Sequence, residues 1–217
     1  MKRNQSGFTL IEIAIVLVII GLLLGGVLKG QELINSAKVK NLAGDFKNIP
    51  VFIYGYQDKF KALPGDDIAA ASHVGATATN GDGNGIINGM WDSVTTTDES
   101  VKFWQHVRLA GLAPGETAVN LTTYLPTNAA GGRIGITNAT ATNLPITGLR
   151  GSYIICSKGI LGKFAKQIDT TLDDGSTTTG SVMVMADQTA PGTPGAAAVS
   201  SSTANFDDTP YTVCMGF

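Results

Sequence analysis

The residues whose types and spacing could do chemistry fall into separate groups. Glu12 is a carboxylate inside an apolar run, Phe8 to Leu28, that reads FTLIEIAIVLVIIGLLLGGVL and contains no Lys, Arg or His. A charge near the centre of a bilayer costs about 2.5 to 3.5 kcal/mol on insertion scales, so an idle carboxylate there is disfavoured and its cation must come from elsewhere. Asn80-Gly81-Asp82-Gly83-Asn84-Gly85 sets oxygen side chains at alternate positions ahead of a turn-permitting glycine. That pattern matches the first half of an EF-hand calcium loop and makes Asn80, Asp82 and Asn84 candidate calcium ligands. The second half fails, because Trp91 stands where the bidentate Glu belongs, so further carboxylates would have to come from Asp66, Asp67, Asp92 or Glu99. A plain glycine-rich turn is the competing reading. Cys156 and Cys214 form either a disulfide or two buried thiols; their spacing is far from C-x-x-C, and only His73 and His106 could assist in a metal site.

Enzyme signatures are missing from the sequence: it has no G-x-S-x-G, no H-E-x-x-H and no P-loop. His106 falls in an amphipathic stretch beside Trp104, where a packing role is the default. A membrane-anchored periplasmic enzyme is therefore only a remote reading. The formal net charge of −2, from 15 Lys+Arg against 17 Asp+Glu, supplies no basic field for nucleic acid. With 43% hydrophobic and 15% charged residues in 217, the chain reads as a packed domain plus an appendage rather than as disorder.

The elements that must position these groups follow from the distribution of apolar residues. Phe8 to Leu28 is 21 residues, long enough as a helix to cross the hydrocarbon core. Lys2 and Arg3 precede it, which holds that end in the cytoplasm and sends everything after Leu28 to the far side. A secretory signal peptide fits poorly, since the run is long and ends without an A-x-A type site. In the oxidising compartment beyond, the cysteine pair favours a disulfide, with a contribution on the order of 4 kcal/mol in the chain-entropy model. Val39, Leu42, Phe46, Ile49, Ile53, Tyr56, Phe60 and Leu63 recur at alternating three- and four-residue steps, one face of a helix packed on a globular core. Pro50 should kink that helix, and Pro64-Gly65 should end it. In the remainder, Ser100 to Leu112 reads as a short helix, and Ile160, Leu161, Phe164, Ile168 and Leu172 mark another. Arg133 to Thr137, Tyr153 to Ser157, Ser181 to Ala186 and Tyr211 to Met215 read as strands, and Gln188 to Asn205 as a surface loop.

Ser6-Gly7-Phe8-Thr9-Leu10-Ile11-Glu12, with a basic leader before it and an apolar helix after, closely resembles the processing site of type IV prepilins and type II secretion pseudopilins. The resemblance implies cleavage between Gly7 and Phe8 by prepilin peptidase, methylation of the new Phe8 amine, and pairing of that amine with Glu12 of a neighbouring subunit. It implies a pilin-like α+β fold: a long N-terminal helix, membrane-spanning in its first half, packed on a small antiparallel sheet. The corresponding segments are 1–7 as cleaved leader, 8–28 as transmembrane and filament-core helix, 29–63 as its amphipathic continuation and 64–217 as head. Partners would be identical or related pilin subunits, the peptidase, an inner-membrane assembly platform and, before assembly, the lipid bilayer. Location would be the inner membrane with a periplasmic head, then an extracellular pilus or a periplasmic pseudopilus. The family also ties its heads with a disulfide, here Cys156 to Cys214, and major pseudopilins carry calcium in the head. No cofactor is required by this reading, with calcium as an optional ion. Gly21 and Gly25 form a small-xxx-small pair suited to helix packing. The proline often found just past the membrane segment in this family is replaced by Leu28-Lys29.

Overall fold

The computed structural model describes residues 9–120, 123–140, 142–188 and 193–217. Helix α1 is Leu10–Phe60, with Pro50 inside it. The short α2 (Ala70–His73) and α3 (Glu99–Leu109) follow, then β1 (Ile134–Asn138), β2 (Tyr153–Leu161), α4 (Gly162–Leu172), β3 (Val182–Ala186), a 3-10 turn at Phe206–Asp208 and β4 (Pro210–Gly216). The chain divides into two compact units between Lys38 and Val39.

In the first unit every described residue from Thr9 to Lys29 is exposed. A helix that is apolar all round has no face to choose, so its burial must come from lipid or from other helices. In the second unit α1 buries Val39, Leu42, Ala43, Phe46, Ile49, Ile53 and Tyr56, the stripe expected from the spacing. Helix α1 ends before Pro64: Lys61 takes a left-handed conformation (φ 55°) just past Phe60, and Leu63 is buried beyond the helix.

The four strands form one antiparallel sheet in the order β1-β2-β4-β3. Side chains alternate between its faces. Ile136, Ile155, Val182, Val184 and Val213 join Phe46, Ile53, Phe103 and Ile168 in the main core. Ile154, Cys156, Met183, Met185 and Cys214 face a smaller cluster with Met90, Trp91, Ile146 and Leu149, contributed by loops. Gly135 in β1 is what admits that loop layer, because a Cβ there would lie 1.9 Å from the Trp91 carbonyl oxygen.

This is the α+β, pilin-like architecture expected, and the elements differ most at the junction of β2 and α4. Ile160 and Leu161 belong to β2 rather than to α4, because after an irregularity past Ser157 they pair with Tyr211 and Pro210 of β4. The helix then starts at Gly162, where a Cβ would meet the Phe206 carbonyl oxygen at 2.0 Å.

Candidate functional site

Gly7 and Phe8 lie outside the described residues. Glu12 sits in the first turn of α1, and its Oε2 accepts hydrogen bonds from the Thr9 backbone N–H (2.8 Å) and the Thr9 hydroxyl (2.9 Å). The Glu12 N–H in turn donates to Thr9 Oγ1 at 3.3 Å. These reciprocal contacts are a capping box, which satisfies N–H groups that a helix start otherwise leaves without partners. Thr9-x-x-Glu12 is the sequence signal for it, and reading Glu12 only as a charge in need of a cation misses it. Oε2 carries both contacts, and Oε1 takes no hydrogen bond from the described residues.

The acidic loop is assembled from three places. Asp66 follows the end of α1, Asp82 lies in the glycine-rich turn, and Glu99 opens α3; one carboxylate oxygen from each lies within 4.8 Å of the others. Asp66 accepts the N–H groups of Asn84 (2.9 Å) and Gly85 (2.8 Å). Glu99 accepts those of Asp82 and Asn88, both at 2.9 Å. Gly81 lets the turn lie flat on Asp66, where a Cβ would fall 2.2 Å from its backbone. Burial pushes the Glu99 carboxyl up, and the Asp66 and Asp82 charges add to this against the opposing backbone N–H bonds.

Of the three residues expected from the turn, Asp82 is the one that brings a carboxylate to this cluster. Asn80 Oδ1 accepts the Ala71 N–H at 2.9 Å, and Asn84 Oδ1 accepts the Ile86 N–H at 3.0 Å. Asn84 also donates its side-chain amide to Asp82. Asp66 and Glu99, named only as reserve carboxylates, complete the group. Trp91 is buried in the loop-side core, and Asp67 is engaged separately by the Tyr56 hydroxyl, the Ala69 N–H and His73. Burial alone would raise the Asp67 carboxyl, but these contacts outweigh it and hold it below the usual range.

The histidines brace this region. His106 Nδ1 accepts the Gly65 N–H at 2.9 Å, so Nε2 is the protonated nitrogen and donates to the Thr79 carbonyl at 2.8 Å. Burial draws its pKa below the ordinary histidine value, consistent with a neutral ring holding two loops together. His73 stacks on Phe60, the rings 5.3 Å apart.

Cys156 and Cys214 are directly opposite one another on β2 and β4 and form a disulfide. Their Cα atoms are 4.1 Å apart, close to the narrower spacing of antiparallel partners, about 4.5 Å.

No curated protein matches the chain. Residues 2–28 match a family model described as the prokaryotic N-terminal methylation motif, and the match covers the apolar start of α1 together with Thr9 and Glu12. This motif is the signature of type IV prepilins and pseudopilins, and over these residues the chain carries it.

Proposed function

We propose that this protein is a structural subunit of a type IV pilus-like filament. Prepilin peptidase cuts it between Gly7 and Phe8 and the new amine is methylated; the subunit then waits in the inner membrane through residues 8–28, with its head in the periplasm. An assembly platform moves it into the filament, where the helices pack side by side and the heads lie outside. The observation that carries this reading is the first part of α1: an exposed apolar surface with one carboxylate at its start and no ion pair to that carboxylate among the described residues. Gly21, Gly25, Gly26 and Gly30 have nothing within 4 Å of an added Cβ, leaving room for a neighbouring helix to approach. Because the capping box uses only Oε2, a neighbour's amine can reach Oε1 without dismantling the helix start.

Two measurements test this. Mass spectrometry of assembled material should find a methylated N-terminus at Phe8; retention of residues 1–7 there overturns the reading. Glu12→Ala should leave insertion intact while lowering the ratio of sheared multimers to membrane-bound monomer, and an unchanged ratio removes Glu12 from assembly.

A second reading, a pseudopilin of a type II secretion system, is favoured by the acidic loop. Asp66, Asp82 and Glu99 offer the hard oxygen donors that calcium takes, and they would hold the ion. Bound there, calcium would supply positive charge to a loop whose carboxylates repel one another.

A further inference from the structure

The head contains a pocket unconnected with the acidic loop or the capping box. Its volume, about 390 Å³, is in the range of small-ligand sites. Ile49 and Phe52 of α1, Trp104 of α3 and Pro126 supply apolar walls, and Asp45 and Arg108 supply the charges. This combination of apolar lining and few polar groups is the usual composition of a ligand site.

The two charges are not equivalent. Arg108 donates from Nε to the Pro114 carbonyl (3.1 Å) and from Nη1 to the carbonyls of Glu116 (2.9 Å) and Tyr124 (2.6 Å). Its guanidinium also lies over the rings of Trp104 and Tyr124, 5.7 and 4.9 Å from their centroids. Gly115 is seated against it so closely that a Cβ would come within 2.6 Å of Nε. Arg108 is thus a buried strut that shapes the pocket wall. Asp45 is half-buried, and among the described residues its carboxylate has no hydrogen-bond or ion-pair partner. Burial raises its pKa. A desolvated carboxylate beside aromatic walls repels anions, gains nothing from neutral apolar molecules, and is stabilised by a cation that can also lie against a ring.

We propose that this pocket binds a small organic cation, an ammonium or guanidinium group carried on an apolar or aromatic body. Asp45 pairs with the charge, while Trp104 and Phe52 cover the body. Asp45 is the one carboxylate among the residues lining this pocket, so it is the group that a bound cation would pair with, while the Arg108 charge is held by backbone carbonyls.

The test uses the full processed chain in a non-ionic detergent and titration calorimetry with three probes of one shape: phenethylammonium, 2-phenylethanol and 3-phenylpropionate. The ammonium should bind at least tenfold more tightly than the alcohol, and the carboxylate should not bind. Asp45→Asn should reduce ammonium affinity at least tenfold without lowering the melting temperature, since it removes an unpaired charge. Equal binding of the ammonium and the alcohol, ammonium affinity unchanged in Asp45→Asn, or no ammonium binding at millimolar concentration would each overturn the proposal.

Discussion

Two stretches of the same helix behave oppositely. The early part of α1 is long and apolar enough to cross a membrane, with a mean hydropathy of 2.8, and none of that window is buried. The later part is interrupted by Asp45, Lys47 and Asn48, yet Phe46, Ile53 and Tyr56 are completely buried. Burial within the chain follows the period of apolar residues rather than their number. A stripe selects one partner surface, whereas an all-round apolar cylinder requires an apolar surrounding.

The contrast is broken most directly by truncating one residue on each side of it. Phe46→Ala should destabilise the head by about 3 to 5 kcal/mol, read by chemical unfolding of the detergent-solubilised chain. Val18→Ala should leave that transition where it is, because Val18 is 62% exposed. Equal losses would mean that the early helix contributes to head stability after all.

Removing the disulfide sharpens the same comparison within the head. Cys156→Ala with Cys214→Ala should cost about 3 kcal/mol, seen as a lower melting temperature of the folded head, while membrane insertion is unaffected. A smaller effect comes from Asp169 on α4, which is buried, with the Gly175 N–H as the nearest backbone donor to its carboxylate but outside good hydrogen-bond geometry. Burial pushes its pKa up to about 6 from 3.8, opposed by the Gly175 backbone N–H and reinforced by the Asp174 and Asp173 charges. The folded state therefore holds a proton that the unfolded state releases, so stability should fall as pH rises from about 4 through 6. The change should be on the order of 2 kcal/mol, and Asp169→Asn should remove it while stabilising the head at pH 7. A pH-independent wild type would place Asp169 in contact with water. The smallest effect is calcium: millimolar ion should raise the melting temperature by a few degrees, an increment lost in Asp82→Asn. An unmoved wild type would remove calcium from the acidic loop.

What could be read from the sequence was whatever a local period or a contiguous motif encodes. Val39 through Tyr56 declare their face by spacing, and Ser6 through Glu12 declare their chemistry by order. Ile160 and Leu161 fit the helical period of the residues after them, but their pairing with Tyr211 and Pro210 depends on a strand far along the chain. The acidic cluster is opaque for the same reason. Asp82 stands in a visible motif, while Asp66 and Glu99 reach it only because backbone N–H groups of the turn bind their carboxylates. Asp45 and Arg108 carry no pattern at all; their roles are created by the loops that close over α3.

The sheet order β1-β2-β4-β3 has a consequence for how the head is made. β4 is the last strand to leave the ribosome, and it lies between two strands made before it. Until it arrives, β2 and β3 each present a bare edge, and Cys156 has no partner. A chain made N-terminus first therefore cannot close its sheet early, and insertion of β4 is a late step that completes both ladders together. The Cys156–Cys214 bond then acts as a latch on that final insertion. Arrested or truncated chains would remain unlatched, with open strand edges available to chaperones and proteases.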